Sequence, residues 1–139
     1  MIDTGCTFCE IASGRMAAAR VAEETRCVAF LDARPLFKGH TLVVPREHHE
    51  TLLDLDAEAL TAVFALVRRV AGALETGLTC QGTFVAVNNR VSQSVPHVHV
   101  HIVPRTKGDG LKGFFWPRQR YADDAETEDF RRRIAGALR

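Results

Sequence analysis

Three histidines alternate with aliphatic residues in the run Pro96-His97-Val98-His99-Val100-His101-Ile102-Val103-Pro104. Side chains on a strand point alternately to its two faces. His97, His99 and His101 therefore share one face, and Val98, Val100 and Ile102 share the other, which should be buried. The imidazoles are expected about 6.6 Å apart, two strand residues at ~3.3 Å each. Such a row is a line of groups that change protonation near neutral pH, held on a rigid platform. A solvated polar face is the plain alternative, but Lys, Glu and Thr are the usual choices there. A metal site made of these three alone is a second alternative. A straight strand spreads them too widely for all three to meet one ion at about 2.0–2.1 Å.

Cys6-x-x-Cys9 is the other arrangement with chemical potential. It supplies two thiolates, and a closed tetrahedral zinc site needs two more ligands. The pair can also be two reduced thiols at a helix start. A redox C-x-x-C is disfavoured because no thioredoxin-like βαβ pattern follows it. Cys27 and Cys80 lie in apolar stretches and read as small core residues.

The elements that must position these groups are legible in outline. Residues 6–13 read as a short helix, 27–32 and 40–45 as strands, and 32–39 as a loop broken by Pro35 and Gly39. The main helix is expected over 54–76, where Leu60, Val63, Phe64, Val67, Val70 and Leu74 recur at three- and four-residue spacing. Asp54 or Asp56 would cap its start and Gly77 its end. Strands follow at 83–88 and 97–103, and a charged terminal helix at about 125–138. This order predicts an α+β fold, a mainly antiparallel sheet packed by one long helix, with a terminal helix added.

Length and composition set the bounds. The chain has 139 residues, 46% hydrophobic and 25% charged, which is the size and balance of one globular domain. A single domain over 1–139 is expected, with a motif-bearing core of about 6–105 and an extension over 106–139. No run approaches the ~20 apolar residues of a membrane span, and the N-terminus does not read as a secretory signal. A cytoplasmic protein with no membrane partner is expected. The net charge of +1 gives no argument for nucleic-acid binding.

The run His97-x-His99-x-His101 with Gln93-Ser94-Val95 before it resembles the signature of the histidine-triad (HIT) superfamily. The resemblance extends upstream to Phe30-Leu31-Asp32 with Pro35, and to Lys38-Gly39-His40-Thr41-Leu42-Val43-Val44-Pro45-Arg46-Glu47-His48. It implies a HIT-like fold and a nucleotide hydrolase or nucleotidyl transferase acting at an α-phosphate, releasing a nucleoside monophosphate such as AMP. In that pattern His99 is the nucleophile, and His101 and His40 contact the phosphate and stabilise developing charge. A neutral imidazole suits the task, since it attacks well near pH 7 and leaves well from a phosphoramidate. Asp32 matches the acceptor of the ribose hydroxyls, and Phe30 and Leu31 the base pocket. Asn88, Gln93 and Ser94 match residues near the phosphate and leaving group.

Two features depart from the pattern or extend it. The loop Asn88-Asn89-Arg90-Val91-Ser92-Gln93 lacks the glycine many relatives carry, and Arg90 there is either solvated or within reach of a longer leaving group. Bacterial-type relatives share the cysteine pair, and their zinc ligands match Cys6, Cys9, His48 and His97, with His49 adjacent to the matching position. That implies a structural zinc and no organic cofactor. The branch also implies a homodimer. The segment 105–121, with Phe114-Phe115-Trp116, is expected at an interface or in core packing, or against a base. The rival functions are dinucleoside polyphosphate hydrolysis or phosphorolysis at the same site, and a non-catalytic, zinc-stabilised nucleotide-binding module.

Overall fold

A computed structural model of the protein describes residues 5–111 and 118–139. The chain divides into two compact units, Met1–Asp109 and Gly110–Arg139. The first unit carries helix α1 (Thr7–Ala12), strands β1 (Arg20–Glu23), β2 (Cys27–Leu31) and β3 (Thr41–Pro45), helix α2 (Ala57–Leu78), and strands β4 (Gly82–Val87) and β5 (Val100–Arg105). The strands form one sheet in the order β1-β2-β3-β5-β4, and every neighbouring pair is antiparallel. The predicted α+β class and antiparallel sheet are therefore present. Among the described residues no helix is long and apolar enough to cross a membrane.

Strand alternation gives the sheet two buried faces. Cys27, Ala29, Val43, Val100 and Ile102 pack with Val63, Leu66, Val67, Val70 and Leu74 of α2. Val28, Phe30, Leu42 and Val44 pack on the other face with Cys6, Phe8, Cys9, Ile11 and Ala12 of α1 and its start. Alternation in β5 then sends His101 to the α1 face, as the sequence pattern requires.

Several boundaries differ from expectation. The last strand begins at Val100, not at residue 97. Continuing the β3–β5 register would set Val98 opposite Pro45, which has no N–H to donate. Val98 N–H bonds the His49 carbonyl instead, at 2.7 Å. His97 and His99 thus stand on an extended segment just ahead of the ladder. Helix α2 starts after Asp56, whose side chain accepts from Ala59 N–H, and runs through Gly77 to a left-handed Thr79 (φ 54°). Leu60 and Phe64 lie on the open side of α2, and Ala59 and Leu66 occupy the core face in their stead. The short β1, alternately half-buried and exposed, was not apparent in the sequence because four residues carry little periodicity.

The second unit carries α3 (Asp124–Ala137), capped by Asp123 accepting from Glu126 N–H. Arg131, Arg132 and Arg133 are exposed and pair with Glu128 and Asp129 on the same helix. The aromatic run Phe114-Phe115-Trp116 lies outside the described residues.

Gly39 sets up the loop into β3. Its φ is +102°, and an added Cβ would meet the Leu78 side chain. Gly39→Ala should cost about 1–2 kcal/mol, mostly from the left-handed backbone. Urea denaturation checks this, and an unchanged midpoint would contradict it.

Candidate active site and metal centre

His99 and His101 stand on the sheet face that α1 covers, with their rings 4.8 Å apart between centroids and inclined at 64°. That is closer than the spacing expected for a straight strand. Phe8 meets His99 edge-on at 4.9 Å and Phe30 at 5.5 Å. Phe8 was not singled out from sequence, although its place inside the C-x-x-C pair was a signal for it.

The hydrogen bonds assign the protons. His99 Nδ1 lies 2.7 Å from the His97 carbonyl, which can only accept, so Nδ1 carries the hydrogen. The Nε2 of neutral His99 then holds the free lone pair. His40 Nδ1 accepts from Leu36 N–H at 3.1 Å, so its proton sits on Nε2. That Nε2–H donates to His101 Nδ1 at 3.0 Å. His101 must then carry its own proton on Nε2, an atom that is buried and has no hydrogen-bond partner among the described residues. The result is a lone pair on one ring beside an unspent donor on the next.

Burial pushes all of these rings toward the neutral form. It lowers His40 and His99 below the ordinary value of 6.5, with Asp32 partly opposing the shift. It lowers His101 and His97 to about 4. Between pH 6.5 and about 4, the unfolded chain binds protons that the folded, metal-free chain refuses. Stability therefore rises with pH across that window and is lost as acid is added. Urea midpoints of metal-free protein should fall from pH 6.5 toward 4. A flat profile would mean that the rings are hydrated in the folded state.

The remaining expected site residues are placed as follows. Asp32 Oδ1 accepts from Arg34 N–H at 2.9 Å, a local turn, while Oδ2 faces His40 Nε2 at 3.8 Å. One carboxylate thus serves the loop and the site together. Phe30 is buried on the site face, whereas Leu31 points to the opposite side of β2 and is 40% exposed. Asn88 Nδ2 donates to the Ser92 carbonyl at 3.3 Å. Gln93 Oε1 accepts from Arg90 N–H at 2.9 Å, and its Nε2 donates to the Glu50 carbonyl at 2.6 Å. These two side chains hold the loop, in which Arg90 (φ 69°) and Ser92 (φ 62°) adopt left-handed conformations. Ser94 is exposed next to it.

A second group forms beneath the row. His97 Nε2–H donates to the Pro45 carbonyl at 2.9 Å, which leaves Nδ1 as a lone pair. That Nδ1 lies 3.5 Å from Cys6 Sγ and 3.4 Å from Cys9 Sγ, and His48 Nδ1 lies 3.4 Å from Cys9 Sγ. All four ligand atoms lie within 4.8 Å of one another. A tetrahedral zinc with Zn–S near 2.3 Å and Zn–N near 2.0–2.1 Å has S···N edges of about 3.6 Å. The donor set and its spacing therefore fit that ion. His49 lies apart from the group, with Nε2 3.5 Å from Glu47. Asp32, His40 and His101 are also close enough to share an ion. There the Leu36 N–H keeps His40 Nε2 protonated, so that atom offers no lone pair and the group is a proton chain instead.

The HIT domain profile matches residues 13–108. The adenosine 5′-monophosphoramidase hnt1 of Schizosaccharomyces pombe is 36% identical over 114 residues, 81% of this chain and 83% of that one. A HIT family protein from Bacillus subtilis has a crystal structure that superposes with a TM-score of 0.85 at 33% identity, covering 96% of this chain and 97% of that one. A zinc-bound histidine triad family protein from Mycobacterium smegmatis superposes with a TM-score of 0.73, also at 33% identity and with the same coverage.

Proposed function

The chain belongs to the HIT domain family, and from that premise we propose that it is a hydrolase or transferase of adenine nucleotides, with phosphoramidates of AMP as its substrate class. The carrying observation is a pair of adjacent rings with complementary nitrogens: the His99 Nε2 lone pair and the His101 Nε2–H, which has no partner among the described residues. His99 Nε2 attacks the α-phosphorus. The bond from phosphorus to the leaving nitrogen breaks, its electron pair goes to that nitrogen, and the nitrogen takes a proton from solvent and departs as a neutral amine. A nucleotidyl-histidine remains. Water then attacks phosphorus and gives a proton back to solvent, the bond to Nε2 breaks with its electron pair returning to that nitrogen, and AMP leaves with neutral His99 restored. Division into two steps lowers each barrier.

The other roles follow from position. His101 Nε2–H donates to a phosphoryl oxygen, and His40 holds His101 in the tautomer that can do so. Asp32 receives the ribose hydroxyls and Phe30 borders the base, whereas Leu31, on the other side of β2, takes no part in the pocket expected of it. Asn88, Gln93 and Ser94 shape the loop at the phosphate and leaving group. Zinc on Cys6, Cys9, His48 and His97 ties α1 to the sheet in a structural role. Four cysteines with no disulfide between them suit a reducing compartment, in keeping with a cytoplasmic protein. The working form is a homodimer, a reading supported by the open edge of β4 with exposed Val85 and by exposed Leu60 and Phe64 on α2. Sedimentation velocity should give twice the monomer mass, and a monomer at micromolar concentration would refute the dimer.

The function is tested by AMP release from adenosine 5′-phosphoramidate and from diadenosine tetraphosphate. Faster release from the phosphoramidate is expected. Faster release from the tetraphosphate would reassign the leaving group. No release from either, with AMP still bound, would make the protein a binding module.

A further inference from the structure

His97 takes part in three contacts that belong to different systems. Its Nδ1 faces both cysteines, its Nε2–H is held by the Pro45 carbonyl, and its own carbonyl accepts the His99 Nδ1–H. The ring is fully buried, and Phe8, which packs edge-on against it at 6.1 Å, is also the wall of His99. Phe8 itself lies between the two cysteines in sequence. The ligand group and the candidate nucleophile therefore share a residue and a neighbour. The segment that carries them is outside the sheet ladder, which starts at Val100. Its main chain is held on either side of the His97 Cα, by His97 N–H to the Val95 carbonyl at 2.8 Å and by Val98 N–H to the His49 carbonyl at 2.7 Å.

We propose that His97 is a positioning residue that couples the Cys6–Cys9–His48 ligand group to His99, so that filling the group with zinc fixes the orientation and tautomer of the His99 ring. The physical argument is one of restraint. A metal bond to Nδ1 fixes the His97 ring, and the Pro45 carbonyl fixes its other edge. Two anchored edges hold the residue's main chain, and its carbonyl then presents one acceptor direction to His99. Without the ion, Nδ1 faces only thiols, which are weak partners. The His97–Val98 peptide is then held by the Val98 N–H bond to the His49 carbonyl and the His97 N–H bond to the Val95 carbonyl alone, without the anchored ring, and the acceptor direction offered to His99 Nδ1–H widens. Partners of this outer kind commonly change activity by 10- to 100-fold.

This inference rests on the reading of His99 as nucleophile, and its primary readout is independent of activity. The ring nitrogens of His99 are followed by long-range 1H–15N NMR in intact wild-type protein, first loaded with Zn2+, then stripped with a chelator, then reloaded. The zinc form should show the pattern of a single Nδ1–H tautomer. Stripping should move the signals toward an average of the two tautomers, and Zn2+ should restore them. In parallel, kcat for AMP release should fall about tenfold with KM changed less than twofold. His99 signals that ignore stripping in a folded protein would overturn the proposal, whatever happens to the rate. If the stripped chain unfolds, exchange of Zn2+ for the larger Cd2+ provides the second test. A longer metal–nitrogen bond should shift the His99 ring signals, and unchanged signals would overturn the proposal. A wild type that releases no AMP would refute the enzymatic reading and leave the NMR result to decide the coupling.

Discussion

His99→Asn should lower AMP release from adenosine 5′-phosphoramidate by at least about a thousandfold, while the affinity for AMP changes only a few-fold. The asymmetry follows from which atoms are lost. An asparagine amide can still donate to the His97 carbonyl, so the local fold should persist. It has no basic nitrogen in the place of Nε2, and no covalent intermediate can form. Asp32, Phe30 and His40 lie on other segments and keep their own partners, Arg34 N–H, Phe8 and Leu36 N–H. Rapid-quench assays of wild type should also trap a nucleotidyl-protein, absent from the variant. More than a tenth of wild-type activity in His99→Asn would remove His99 from the nucleophile's role.

Cys9→Ser should empty the metal centre and destabilise the whole first unit. Cys9 is 0% exposed and lies beside both histidines of the group. Serine offers a hydroxyl, a poor zinc ligand, so affinity should drop at least a hundredfold. Elemental analysis should find about one zinc per chain in wild type and almost none in the variant. Binding to the folded state alone adds stability by mass action, several kcal/mol for a tight site. The melting temperature should therefore fall by on the order of 10 °C in calorimetry with micromolar Zn2+ present. Chelator should bring wild type to nearly the same temperature. Freshly reduced wild type that carries no metal would sink the zinc assignment.

These two predictions draw on different depths of the sequence. The His-x-His-x-His alternation was enough to place the imidazoles on one face and Val100 and Ile102 in the core, because a strand's period of two is local backbone geometry. The spacing of Val63, Val67, Val70 and Leu74 was enough for the core face of α2. It misassigned Leu60 and Phe64, because an apolar residue at the margin of a helical stripe is buried only if a neighbour reaches it. The start of β5 was misjudged for a similar reason, since it depends on Pro45, which lies on another strand.

The candidate site divides along the same line. The residue pattern supplied the chemical types, the Cys6–Cys9 pair and Asp32 ahead of Pro35, and it put the three alternating histidines on one face. Which atoms meet depends on contacts between distant segments. His97 reaches Cys6 across 91 residues of chain, and His40 reaches His101 across 61. The protons on His40, His99 and His101 were assigned by the Leu36 N–H and the His97 carbonyl, main-chain groups that no side-chain pattern announces. The physical reason is one of range. Periodicity is set by bonds between near neighbours, whereas tautomers and ligand sets are set by whichever donors and acceptors packing brings within about 3 Å.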